Sequence, residues 1–175
     1  SLAVDGNTLA IGAHSEGSPN GSASGAVYIF EKGTAWSNGS GNQTAKLDPD
    51  DGDDGDRFGY SVDLENGTLV IGASKDEDPN ASAGGSVYIF EEGIGWSDGH
   101  ANQVAKLDPM QSTGEEEFGT DVSISGDRVA VSAEQDDNAK GSRAGAAYIF
   151  HKGSGWQDGH ANQITELIPS AAEDS

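Results

Sequence analysis

The sequence predicts an all-β protein built from three copies of one four-stranded antiparallel unit. Three observations carry that expectation. Gly25-Ala26-Val27-Tyr28-Ile29-Phe30 returns 60 positions later as Gly85-Ser86-Val87-Tyr88-Ile89-Phe90, and 60 later again as Gly145-Ala146-Ala147-Tyr148-Ile149-Phe150. Trp36, Trp96 and Trp156 keep the same step, as do Leu47, Leu107 and Leu167 and the pairs Phe58-Gly59 and Phe118-Gly119. A fixed period without insertions marks one structural unit repeated. Third, no useful stretch has a helical period, whereas short apolar runs alternate with turn residues throughout. The units are placed at 1–60, 61–120 and 121–175.

Each unit opens with a hairpin. Ser1 to Ala13 aligns with Ser61 to Ala73 and with Asp121 to Ala133, and each copy has two apolar runs about a polar turn. The turns are Asp5-Gly6-Asn7, Glu65-Asn66-Gly67 and Ser125-Gly126-Asp127, residue types that favour tight hairpin connections. The second run, Leu69-Val70-Ile71-Gly72-Ala73, is nearly continuous in apolar character, so both its faces are expected to be buried. Gly12, Gly72 and Ser132 end it with minimal side chains, as close packing near a crowded axis requires.

A polar loop follows at 14–24, 74–84 and 134–144. It differs most between copies, and loops of that kind carry the specificity of a scaffold. The Tyr-Ile-Phe strand comes next, with apolar bulk on both faces. A Trp segment and a Gly/Asn/Asp turn then lead to a fourth strand ending in Leu47, Leu107 or Leu167. Pro49 and Pro109 close the first two copies, since proline cannot donate to a ladder. Four-stranded sheets of this size are the blades of a β-propeller.

The chain has 30 acidic and nine basic residues, a formal net charge of -21. Such a surface repels itself in dilute salt and is screened in concentrated salt. Few lysines with abundant Asp, Glu, Gly and Ser resemble the proteins of salt-loving microbes, haloarchaea above all. Lys and Arg clusters are absent, which argues against a nucleic-acid partner. There are no cysteines and no apolar run of membrane-spanning length. The chain begins at Ser1, not Met, so it is read as a processed product, an excised piece or part of something longer.

Phe58-Gly59-Tyr60-Ser61-Val62, followed by Leu69-Val70-Ile71-Gly72-Ala73 and Gly85-Ser86-Val87-Tyr88-Ile89-Phe90, resembles the FG-GAP repeat in its microbial form. Phe118-Gly119-Thr120-Asp121-Val122 with Val129-Ala130-Val131-Ser132-Ala133 resembles a second copy. The resemblance covers essentially the whole chain. It implies the propeller fold of integrin alpha subunits and an extracellular or cell-surface role in interaction or adhesion. Integrin-type repeats hold Ca²⁺ in the first hairpin through an Asp-rich loop. Here that hairpin is cut to two or three oxygens, too few for a cation that takes six to eight. Calcium of that type is not carried over.

Three units leave two apolar end faces, and such faces seek partners. A second copy docked head to tail would close six blades if the rotation closes, and would form a fibre if it does not. Partners are thus other copies of the chain, or a surface protein or glycan.

Candidate sites lie on loops. Asp50, Asp51, Asp53, Asp54 and Asp56 form the densest acidic stretch and are the candidate Ca²⁺ or Mg²⁺ ligands, although their spacing matches no EF-hand loop and a solvated acidic loop explains them better. Asp76, Glu77 and Asp78, with Asp136 and Asp137, are the expected interaction residues by loop position alone. Asn20, Asn38, Asn42 and Asn80 fit the Asn-x-Ser/Thr acceptor pattern for glycans. His100 and His160 share an Asp-Gly-His-Ala-Asn-Gln context that indicates a common turn. No nucleophile elbow or phosphate loop is present. The expected role is therefore a non-enzymatic extracellular module, with no cofactor assigned. A self-assembling surface filament and a propeller hydrolase or lyase with a loop-built site stand as alternatives.

Overall fold

In the computed structural model, which describes residues 1–17, 21–77, 84–110 and 116–170, twelve strands form three four-stranded sheets and no helix is present among the described residues. The first sheet holds β1 (Leu2–Asp5), β2 (Thr8–Gly12), β3 (Val27–Glu31) and β4 (Gln43–Leu47) in sequential order. The second holds β5 (Phe58–Glu65), β6 (Thr68–Ala73), β7 (Ser86–Glu91) and β8 (Gln103–Leu107). The third holds β9 (Phe118–Ser125), β10 (Arg128–Ala133), β11 (Ala146–His151) and β12 (Gln163–Leu167). Every pairing within the three sheets is antiparallel, with a register shift where the third strand of each sheet meets the fourth. The strand that opens the second sheet starts at Phe58, so each Phe-Gly pair begins the sheet that follows it.

Local chemistry explains the hairpins. Asn66 and Gly67 both take positive φ, 51° and 73°, the geometry a two-residue turn needs to match the twist of its strands. β5 and β6 then pair from Glu65↔Thr68 to Phe58↔Ala73.

The sheets pack face to face, and strand alternation assigns each side chain to one of two cores. Leu69 and Ile71 of β6, with Tyr88 and Phe90 of β7, join Phe58, Val62 and Leu64 against Ala3, Ala10, Val27, Ile29, Ala45 and Leu47 of the first sheet. Val70, Val87 and Ile89 point the other way and join Ala105 and Leu107 against Phe118, Val122, Ile124, Tyr148 and Phe150 of the third sheet. The middle sheet is therefore buried on both faces, and β6 carries side chains to both cores, as its near-continuous apolar run predicts. Phe58 packs edge-on against Tyr88 and Phe90, and Phe118 repeats the arrangement with Tyr148 and Phe150.

Each seam between units also carries a repeated set of polar contacts. Ser1 Oγ donates to the Gly59 carbonyl and Ser61 Oγ to that of Gly119, at 2.9 and 2.7 Å. A Cβ added at Gly72 would collide with the Gly119 carbonyl, so glycine sets how closely the two sheets approach. At the outer edge, the Lys46 N–H donates to Asp98 Oδ1 (2.8 Å) and the Gly99 N–H to the Lys46 carbonyl (2.8 Å). Lys106 with Asp158 and Gly159 repeats this at 3.0 and 2.8 Å. Glu65 and Asp5 accept backbone N–H groups of Gly126 and Asn66 in the next unit. Part of the acidic composition thus stitches the sheets together rather than merely coating the surface. No helix of the described residues is long and apolar enough to cross a membrane.

Candidate functional site

The most constructed polar arrangement recurs once per unit. The loop after each second strand folds back so that a carboxylate meets a tyrosine twelve residues later in the third strand. Tyr28 Oη donates to Glu16 (2.7 Å), Tyr88 Oη to Asp76 Oδ1 (2.9 Å), and Tyr148 Oη to Asp136 Oδ2 (2.6 Å). The fourth strand adds a residue at the register position facing the tyrosine: Lys46 opposite Tyr28, Lys106 opposite Tyr88, and Glu166 opposite Tyr148.

In the first two units that residue supplies the cation. Lys46 Nζ lies 2.7 Å from Glu16 Oε1, and Lys106 Nζ lies 2.6 Å from Asp51 Oδ2 and 2.8 Å from Asp76 Oδ2. Each ammonium also sits over the tyrosine ring, 5.5 and 5.3 Å from its centroid, where the ring's negative face attracts it. The hydrogen bond from Lys46, helped by that from Tyr28, holds the Glu16 carboxyl below its ordinary range. Burial works against the charge of Lys106, yet Asp76 and Asp51 together hold its pKa above the usual value. Burial pushes the Tyr88 hydroxyl far up, and Asp76 and Asp51 add to it; burial and then Asp136 do the same to Tyr148. These hydroxyls stay protonated and act as fixed donors to carboxylates.

This placement corrects the reading of the acidic loops. Asp76 and Asp136, expected as exposed recognition groups, are each only 3% exposed and serve the tyrosine contacts. The reason is a long-range partner that loop position alone does not reveal. Glu77 and Asp137 do face solvent, and Asp137 accepts from Ser142 Oγ (2.8 Å) and the Arg143 N–H (2.6 Å). Asp78 lies outside the described residues.

The aspartates from Asp50 to Asp56 sit in different surroundings. Asp50 accepts from Gln103 Nε2 (2.6 Å), Asp51 is taken by Lys106 and Tyr88, and Asp53 and Asp54 are exposed. Asp56 is buried and accepts the Asp53 N–H; burial pushes its carboxyl up to about 6, with Asp76 and Asp53 adding repulsion. Among the described residues, no three His, Cys, Asp or Glu side chains gather in an arrangement that would hold a metal ion. Partners in the next unit take Asp50 and Asp51, while Asp56 turns inward to the Asp53 N–H.

Of the glycan candidates, Asn20 and Asn80 lie outside the described residues, and Asn38 is exposed in a turn. Asn42 has another task. Its Nδ2 donates to the carbonyls of Glu31 (2.9 Å), Lys32 (3.0 Å) and Ala35 (3.1 Å), and its Oδ1 accepts the Ser37 N–H (2.6 Å). Asn102 and Asn162 make the same contacts in their units. A glycan on Asn42 would replace one of the two N–H groups that staple this loop. His100 stands 3.9 Å from Asp48, and His151 pairs with exposed Asp127 at 2.6 Å.

The end faces are the other feature of note. Leu2, Val4, Leu9, Ile11, Tyr28 and Phe30 occupy the positions that Val62, Leu64, Leu69, Ile71, Tyr88 and Phe90 use to pack on the preceding sheet. In the first unit that face is open, with Leu2 70% and Val4 63% exposed. Trp36 is 47% exposed, whereas its counterpart Trp96 is 8% exposed against the first core. Ile164, Leu167 and Ile168 are exposed at the opposite end.

Compared with known proteins, the chain matches a family model described as FG-GAP repeat over residues 1–30, 42–90 and 101–150. Among solved structures it is similar to the computationally designed Ika4 protein, with a TM-score of 0.48 and 14% identity over 86% of this chain and 63% of that one. It is also similar to the computationally designed Ika8 protein, with a TM-score of 0.43 and 14% identity over 89% of this chain and 46% of that one. The chain thus spans less than two thirds of either designed protein. No curated protein matches.

Proposed function

The chain belongs to the FG-GAP repeat family, and from that premise we propose that it is a non-enzymatic interaction and structural module that works outside the cell by surface complementarity. The observation that carries this reading is the open face of the first unit. Its residues are those that, one unit on, bury themselves against a neighbouring sheet, and Trp36 is the clearest of them.

A second copy offers a matching edge. By the 60-residue period, Asn38, Gly39 and Gln43 stand where Asp98, Gly99 and Gln103 grip the edge of the first sheet, and Glu166 stands where Lys46 is gripped. Head-to-tail docking through this outer edge extends a seam the molecule already uses twice. The inner half of that seam differs, because Ser132 replaces the glycine and Asp121 the serine. Those two residues bond each other, with the Asp121 N–H donating to Ser132 Oγ at 2.8 Å. The proposed contact is therefore an outer-edge one. The acidic surface fits a medium of concentrated salt, in which repulsion between two such chains is screened. Glu77 and Asp137 are exposed for recognition of a surface protein or glycan, and no cofactor is required.

The test is absolute mass by light scattering in molar and in dilute salt. A discrete dimer in molar salt that separates in dilute salt supports the reading. Open-ended polymers would favour the filament alternative, and a folded monomer in both would overturn self-association.

A further inference from the structure

The third unit departs from the other two at one position, and the departure has a chemical meaning. In the first two units, the space between the tyrosine ring and the loop carboxylate is filled by a lysine ammonium from the outer strand, 2.7 Å from Glu16 and 2.8 Å from Asp76. In the third unit the strand register is unchanged, with residue 166 opposite Tyr148 as 46 is opposite Tyr28 and 106 opposite Tyr88. The residue there is Glu166, which reverses the charge. A cavity of about 310 Å³ opens beside it, lined among others by Glu116, Asp136, Asp137, Asn138, Tyr148 and Glu166, and among the described residues no Lys or Arg lines it.

Two of the parts that hold the ammonium elsewhere, the loop carboxylate and the tyrosine ring, remain in place, while position 111, the counterpart of Asp51, lies outside the described residues. Asp136 is buried and oriented by Tyr148 Oη on one oxygen (2.6 Å) and Asn138 Nδ2 on the other (3.1 Å). Asn138 Nδ2 is itself tied to the Gly145 carbonyl at 3.0 Å. Tyr148 keeps its ring at the position from which Tyr28 and Tyr88 face their lysines. The same molecule therefore displays, twice, what the equivalent residues bind.

We propose that the pocket of the third unit is a receptor for an aliphatic ammonium group, presented as a lysine side chain by a partner. Asp136 and Glu166 supply the counter-charge, and the Tyr148 ring supplies the cation–π face. Asp136, 3% exposed, is the desolvated half of the contact and makes it worth more than a surface ion pair, while Glu166 faces solvent at the rim. A divalent metal fits less well, because the described residues do not gather a metal-holding group. The site adjoins the trailing face but does not depend on self-association, so either claim can fail alone.

The experiment is a titration of the whole chain with Nα-acetyl-lysine methylamide at constant ionic strength, followed by two-dimensional NMR. Nα-acetyl-norleucine methylamide is the uncharged control, and Ca²⁺ alone is the metal control. Saturable shifts confined to residues around Tyr148 and Asn138 are expected, with norleucine inert. Glu166→Lys supplies the cation internally; it is expected to weaken probe binding by about tenfold or more, equal to ~1.4 kcal/mol, and to raise the melting temperature. Glu166→Gln, which keeps shape and loses charge, is expected to bind less tightly while folding normally. Shifts spread over the whole acidic surface, binding unaffected by Glu166→Lys, or Ca²⁺ saturating the pocket in preference to the amine would each overturn the proposal.

Discussion

Asn162→Ala is the sharpest test of how each unit is held together. Asn162 is 6% exposed and sits between β11 and β12, where it spans the loop with four contacts. Its Nδ2 bonds the carbonyls of His151 (2.9 Å), Lys152 (3.2 Å) and Gly155 (3.1 Å), and its Oδ1 takes the Gln157 N–H (2.7 Å). Two N–H donors and one acceptor are lost on truncation. At roughly 0.7–1 kcal/mol net for each of the three groups lost, the cost is about 2–3 kcal/mol. For a chain of this length that corresponds to a fall of roughly 4–12 °C in melting temperature, provided the array unfolds as one unit. Asn162→Asp keeps the acceptor but aims a negative charge at three carbonyl oxygens. It should be worse than alanine at neutral pH and should recover on acidification. Thermal unfolding followed by circular dichroism gives the loss, and amide exchange at Gln157 localises it. Alanine and aspartate variants both within about 0.5 kcal/mol of the parent would refute the staple, since that is the scatter of surface substitutions that touch nothing.

Other outcomes follow from the same geometry. Asp56 is held near 6 by burial, so the native state binds its proton more tightly than the unfolded chain does, and its contribution to stability is full below about pH 4 and lost as pH rises through about 6. Asp56→Asn should remove that slope in urea unfolding and stabilise the protein at pH 7 by about 1–3 kcal/mol; an unchanged slope would refute it. Asp51 and Glu117, which burial raises but which Lys106 with Tyr88, and Lys75 with Gln135, together lower, act in the opposite sense and lose their contribution below the usual carboxylate range. Lys106→Met leaves Asp76 buried without its cation and should cost roughly 3 kcal/mol at pH 7, with partial recovery in acid as the readout. Gly72→Ala forces a Cβ into the Gly119 carbonyl and should cost about 2 kcal/mol by separating the second and third sheets, measured as loss of protection in β9.

Much of the architecture was legible because the period made each strand readable three times. β6 is the clearest case: its unbroken apolar run called for two buried faces, and Leu69 and Val70 do enter different cores. The candidate site was less legible. Polar, variable loops mark Asp76 and Asp136 as interaction residues, whereas their partners Tyr88 and Tyr148 lie twelve residues on, in a strand. The signal was nevertheless present, as an acid-to-tyrosine spacing shared by all three units. The exchange of lysine for Glu166 was also visible in phase with Lys46 and Lys106, but its meaning needs the register that sets residue 166 against Tyr148. Asn42 drew attention as a glycan acceptor only because Thr44 follows it; Asn102 and Asn162, without that pattern, show that the asparagine is kept for the loop. That Asp50 and Asp51 are taken by Gln103, Tyr88 and Lys106 of the next unit was beyond any local reading.

The exposed face of the first unit is most directly tested through Trp36. With Trp96 and Trp156 replaced by Phe, emission and acrylamide quenching report on Trp36 alone. The double variant is first checked by circular dichroism, since Trp96 packs in the first core. The expected result is that Trp36 passes from a quenchable, red-shifted state to a protected, blue-shifted one as concentration rises in molar salt, over the range in which light scattering reports dimer. If Trp36 stays as accessible at high concentration as at low while the chain remains folded, the open face is not the seam through which copies join.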